Sequence, residues 1–146
     1  MPASSADSCF RIVDHTADLA LEVQAADLPD FFRMAVRGMA ELILPAAAAS
    51  DTPAAAQILE LDVDAPDVDV LLVDMLNRIN LESGLMNIVF RELEIDTMSP
   101  IKIQGRVKGY VTDHRFDIDI KAVTYHGLKI KMDDKGRFCG QILFDI

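Results

Sequence analysis

The chain has 146 residues, 51% of them apolar, and carries 24 acids against 14 lysines and arginines for a net charge of −10. That length and apolar content suit one domain with a sizeable core. No run of about 18 uncharged apolar residues occurs, which excludes a transmembrane helix, and the acid excess argues against a broad grip on a phosphate backbone.

The charge is uneven. Residues 1–90 hold 4 cations against 15 acids, and residues 91–146 hold 10 against 9. The cations Arg91, Lys102, Arg106, Lys108, Arg115 and Lys121 read as solvated strand faces before they read as a basic patch. Met1 to Asp7 lack the basic start and apolar run of a signal peptide, so a cytoplasmic protein is expected. Cys9 and Cys139 form no Cys-x-x-Cys pair and read as two small, half-buried hydrophobes.

Residues 1–9 are expected to be a flexible N-terminus and residues 10–146 a single domain. Ile12 and Val13 give a short strand, and Leu19, Leu21 and Val23 an alternating one. "LPDFFRMAVRGMAELIL" places Leu28, Phe31, Phe32, Ala35, Val36, Met39, Ala40 and Ile43 at helical spacing, with Pro29 near the start. "AAAASDTPAAAQ" reads as a loop bounded by prolines. "ILELDVDA" alternates as a strand. "PDVDVLLVDMLNRINLESG" predicts a second helix, with Leu71, Leu72, Met75, Leu76 and Ile79 as its stripe, Asp69, Asp74, Asn77 and Arg78 facing elsewhere, and Gly84 as its stop.

From Met86 onward the chain alternates at period two: "MNIVFRELEI", "IKIQGRVKGYV", "FDIDIKAVTY", "LKIKMDD" and "RFCGQILFDI". "MSP" at 98–100 divides two strands, and "DDKG" at 133–136 makes a hairpin turn. The order β-β-α-β-α-β-β-β-β-β predicts an α+β fold, a mixed, largely antiparallel sheet with two helices packed against it.

Three constellations can carry chemistry. "DHTAD" at 14–18 sits at the mouth of a strand; Asp18 either makes an Asx-turn or binds a cation. "ILFDI" places the carboxylate of Asp145 one residue from the Ile146 carboxylate, a costly pair unless solvent or a hard cation neutralises it. In "DHRFDIDIKAVTYHGLKI", Asp117, Asp119 and Lys121 share one face and Phe116, Ile118 and Ile120 the other. Lys121 is then either an exposed strand lysine or a partner for a carboxylate or phosphate. His114 and His126 flank this stretch and read as ordinary hydrogen-bonded histidines before they read as a His-pair metal site. No signature of a serine or cysteine nucleophile is visible.

Together these segments resemble the archease family. "DHTAD" is similar to the family's opening signature, and "LLVDMLNRI" at 71–79 to its helix, where Met75 replaces a customary tryptophan. "HRFDIDIKAVTYHGLKI" at 114–130 is similar to its long central motif, and "ILFDI" to its close. Asp113, Asp119 and Phe138 depart from the usual arginine, glutamate and tryptophan. The resemblance implies an accessory protein of the GTP-dependent RNA-splicing ligase, which joins 2′,3′-cyclic-phosphate or 3′-phosphate ends to 5′-hydroxyl ends, notably in tRNA splicing. Such a protein promotes guanylylation of the ligase and its multiple turnover, meets RNA only indirectly, touches no membrane and is not itself an enzyme. It implies a divalent metal ion, calcium before magnesium or manganese, held by Asp18, Asp145 and Ile146. Lys121, His15, Asp14 and His126 are support candidates. The competing classes are a small metal-dependent phosphoesterase, with His15 near the metal, and a chaperone-like binding module.

Overall fold

The computed structural model describes residues 8–14, 18–46 and 56–146, with Asp14 described in its backbone alone. The elements follow the expected order: β1 (Cys9–Asp14), β2 (Asp18–Ala25), α1 (Leu28–Ile43), β3 (Ala56–Asp64), α2 (Val68–Met86), β4 (Ile88–Ser99), β5 (Lys102–Val111), β6 (Ala122–Thr124), β7 (Lys131–Met132) and β8 (Phe138–Asp145). The loop expected around residues 46–57 falls largely outside the described residues, and Ala56 and Gln57 already belong to β3.

The α+β expectation holds, and the strands divide between two sheets. Sheet A has the order β1-β2-β8-β6, with β7 also on β8; sheet B has the order β3-β5-β4. Every pairing is antiparallel. Helix α1 packs on β2 and β4, and α2 on β3, β4 and β6, so both sheets share one core.

Local chemistry sets the helices. Asp27 caps α1 by accepting from the Asp30 N–H at 2.8 Å, and Asp67 caps α2 by accepting from Val70 N–H at 2.9 Å. The α1 stripe is buried as its spacing predicts, from Phe31 and Phe32 to Ile43, with Leu28 half-buried at the edge. The predicted stripe of α2 is buried in full. Gly84 is not its stop. The helix runs one residue pair further, to Met86, and ends on Asn87, whose φ of 54° is the left-handed cap conformation. Ser83 supports this end: its carbonyl accepts the Asn87 N–H and its hydroxyl donates to the Ile88 carbonyl.

Sheet B is strongly shaped. β4 is bulged between Phe90 and Glu92 and between Ile95 and Thr97. Opposite the bulges stand Gly109 and Gly105. A Cβ at Gly105 would lie 2.1 Å from the Glu94 carbonyl oxygen, and one at Gly109 would lie 2.3 Å from that of Val89. Only glycine admits so close an approach.

Two expected strands are shorter than their alternation suggests. Of "FDIDIKAVTY", only Ala122–Thr124 joins a ladder. Alternation persists before it, with Ile120 buried and Asp117, Asp119 and Lys121 exposed. The main chain there bonds to helices instead: the Asp117 N–H donates to the Ile43 carbonyl at 2.8 Å, and the Ile120 carbonyl accepts from Asn80 at 2.8 Å. Of "LKIKMDD", only Lys131–Met132 pairs, and the predicted turn follows, with the Gly136 N–H on the Asp133 carbonyl and Gly136 at φ 79°.

Candidate functional site

β8 lies between β2 and β6, and its last residue meets both. Asp145 is in register with Asp18 on one side and with Ala122 on the other. Residues directly opposed in an antiparallel pair point to the same face. Asp18 and Asp145 therefore present two carboxylates side by side, although they stand near opposite ends of the described chain. The Lys121 N–H donates to the Asp145 carbonyl at 2.7 Å, which brings the central motif to the same point. Ile146 follows directly and is 37% exposed.

The electrostatics are unusual for an adjacent pair. Like charges directly opposite each other on a sheet cost energy. Asp145 is exposed, whereas the Oδ1 of Asp18 is buried. No Lys or Arg forms an ion pair with Asp145 among the described residues. On the same face, two residues along β6 from Ala122, Thr124 has a buried hydroxyl oxygen with no hydrogen-bond partner among the described residues. Paired carboxylate oxygens beside an open hydroxyl are the donors a hard divalent cation takes. Asp18 and Asp145 supply donors of the kind such a cation takes. Among the described residues, no cluster of three or more His, Cys, Asp or Glu side chains is arranged to hold a metal; the set at this point is two aspartates.

The support candidates divide. His15 lies outside the described residues. Asp14 pairs through its backbone with Leu19. Lys121 is exposed. His126 is exposed in the turn after β6, where Gly127 takes a φ of 70°. Three of the cations of residues 91–115 are engaged. Arg106 is ringed by Glu60, Glu94 and Asp96, Lys102 by Asp62 and Asp64, and Arg91 reaches Glu41 and the Leu44 carbonyl. Cys9 and Cys139 both stand in register with Gln24, on opposite neighbours of β2, so a full strand separates them and both are free thiols. Burial and the nearby Asp133 push the Cys139 thiol up.

Sequence reasoning missed the polar side of α2. Asp69, Asp74 and Asn77 lie off the apolar stripe, as expected, yet with Asn80 they grip the segment 120–130 in antiparallel order. Asp69 accepts from the Ile130 N–H at 2.9 Å, and Asp74 accepts from the Tyr125 hydroxyl. Asn77 holds Val123 twice, donating to its carbonyl at 2.9 Å and accepting from its N–H at 2.8 Å; Asn80 donates to the Ile120 carbonyl. Hydrogen bonding to Asp74 raises the Tyr125 phenol above the usual tyrosine range. The available signal was two asparagines inside a long helix, where their propensity is poor unless the amides have partners.

Comparison with known proteins follows this geometry. The family model of the archease protein family matches residues 10–146. The chain is similar to an archease of Methanopyrus kandleri, 27% identical over 140 residues that cover 92% of this chain and 96% of the relative. It is equally similar to that of Methanosarcina barkeri, 27% identical over 150 residues, covering 98% and 99%. Among solved structures it resembles protein 1598 of Methanobacterium thermoautotrophicum (TM-score 0.70, 21% identity, 94% and 98% covered). It also resembles a Thermotoga maritima archease described as a possible chaperone (TM-score 0.65, 20% identity, 92% and 94% covered). These two likenesses establish the fold.

Proposed function

The chain belongs to the archease family, and on that footing we propose that it is a metal-binding accessory protein that activates the GTP-dependent RNA-splicing ligase. In this reading it promotes guanylylation of the ligase and repeated turnover in the cytoplasm, and leaves the joining of RNA to the ligase. No described helix is long and apolar enough to cross a membrane.

One observation carries the reading: Asp18 and Asp145 stand in register on adjacent strands, with the Lys121 N–H bonded to the Asp145 carbonyl. Asp18, Asp145 and Ile146 hold the divalent cation, with calcium the first choice and magnesium or manganese next. When bound, the cation would supply positive charge for a nucleotide phosphate beside these residues. The protein's own residues do the rest. The two strands fix the spacing of the carboxylates, and exposed Lys121 offers a positive charge to a phosphate beside them. An acidic surface elsewhere keeps the protein off the RNA backbone.

The test is a ligase guanylylation assay with GTP and each metal, with and without this protein. Acceleration by the wild type that Asp18→Asn and Asp145→Asn abolish is the expected result. No acceleration overturns the activator reading, and full acceleration by both variants overturns the site. Binding to the ligase with no effect on guanylylation would favour a chaperone-like role instead.

A further inference from the structure

β6 is the weakest strand in the neighbourhood of the candidate site. It has three residues, and among the described residues its only ladder partner is β8. Where a further strand would complete its outer edge, the side chains of α2 do so. The Asn77 amide bonds both the N–H and the C=O of Val123, as a strand neighbour would, and Asn80 takes the Ile120 carbonyl. Between these two anchored residues lies Lys121, whose N–H reaches Asp145. Ala122, the next residue, is the one in register with Asp145. The end of β8 that carries Asp145 is thus set laterally by β2 on one side and by this clamped segment on the other.

We propose that Asn77 and Asn80 are positioning residues, which hold Lys121 and Asp145 in the geometry the site uses. The chemistry favours amides here. An amide side chain offers a donor and an acceptor at once without adding charge beside two carboxylates. Leucine at either position would leave the edge of β6 unbonded, and aspartate at position 77 would accept from Val123 N–H but not donate to its carbonyl. The functional meaning of the clamp rests on the cation reading given above; its structural part does not.

Two measurements separate them. Amide exchange followed by NMR reads the clamp directly. In Asn77→Ala the Lys121 amide is expected to exchange about 10-fold faster than in the wild type, with a smaller rise in Asn80→Ala. Calorimetric titration with calcium reads the site: Asn77→Ala weakens binding about 10-fold, the usual scale for residues that orient metal ligands. Asn77→Asp, which keeps one of the two bonds, falls between and serves if the alanine variant does not fold. Asn87→Ala is the control. It removes the cap of α2 and a bond to the Thr112 carbonyl, so it lowers the melting temperature but leaves Lys121 exchange and calcium affinity as in the wild type. Unchanged Lys121 exchange in Asn77→Ala overturns the clamp. Wild-type calcium affinity in a variant whose Lys121 amide has loosened overturns its role in positioning. A wild type that binds no calcium overturns the cation reading and, with it, the positioning of a metal site, while the exchange data still decide the clamp.

Discussion

Sheet B and the free end of sheet A treat their acids in opposite ways. On sheet B every cross-strand row of charge is answered: Arg106 sits among Glu60, Glu94 and Asp96, the last at 2.5 Å, and Lys102 lies between Asp62 and Asp64. At the end of sheet A, Asp18 faces Asp145 and no cation of the described residues pairs with Asp145. Both arrangements come from the same antiparallel geometry. The difference teaches that antiparallel register does not by itself decide whether a charge is answered: Arg106 and Lys102 each meet two or more carboxylates, and Asp145 meets no cation of the described residues.

The comparison breaks most violently at the glycines of sheet B. Gly105→Ala would drive a Cβ into a backbone carbonyl that cannot turn aside, at a cost near the upper end of the usual overpacking range, about 3 kcal/mol. Urea denaturation measures it as a lower midpoint, and calcium binding of the folded fraction is unchanged. A smaller and opposite effect is expected at the other region. Asp145→Asn removes one of two opposed charges, so in the presence of a chelator it raises stability by about 0.2–1 kcal/mol. The same variant loses any calcium-dependent rise in melting temperature. A fall in chelator-treated stability would show that the pair is not repulsive and would erase the contrast.

Smaller still are the pH effects. The Tyr125 phenol is held above its ordinary value by Asp74, so its contribution is complete below the ordinary tyrosine range and is lost as pH rises through the raised value. Tyr125→Phe removes that alkaline decline, seen in melting temperature against pH. Asp133 behaves in the reverse sense. Backbone N–H groups of Arg137 and Lys135 hold its carboxyl below the usual range, so its contribution is present above the ordinary aspartate value and fades as pH falls through the lowered one. In Asp133→Ala the acid limb of the same curve flattens. The least effect belongs to Arg106→Met, a half-buried site whose carboxylate partners are exposed, which lowers stability slightly and mainly at low salt.

Much of the fold was legible because helix and strand periods are visible wherever a segment is half-buried. The stripes of α1 and α2 and the order of the ten elements follow from that alone. The failures share one cause. Residues 116–120 alternate in burial yet bond to Ile43 and Asn80 of the helices, and a burial pattern carries no record of the bonding partner. The end of α2 was misplaced because Gly84 sits in open space with no need for its freedom, while Asn87 takes the left-handed cap. At the candidate site the sequence alone left Asp18 between an Asx-turn and a cation, and Ile146 between an exposed end and a ligand. The family pattern named both. What the pattern did not assign was a role for Asn77 and Asn80, because helical polar residues look solvated until the strand they serve is located.

The register of β8 has a further consequence, for the order in which the molecule assembles. Sheet B lies within residues 56–111, where β4 and β5 are consecutive strands and the most distant ladder pair is Ala56 with Tyr110. Sheet A is different: β2 has β1 beside it early, but its other edge waits for residues 138–145. Closing so long a loop is entropically slow, and non-local pairing of this kind sets folding rates. A chain emerging from synthesis can therefore complete sheet B and the α2 contacts while the edge of β2 stays open, and the two aspartates meet only in the closing step. Any property that depends on their meeting is a property of the finished fold alone.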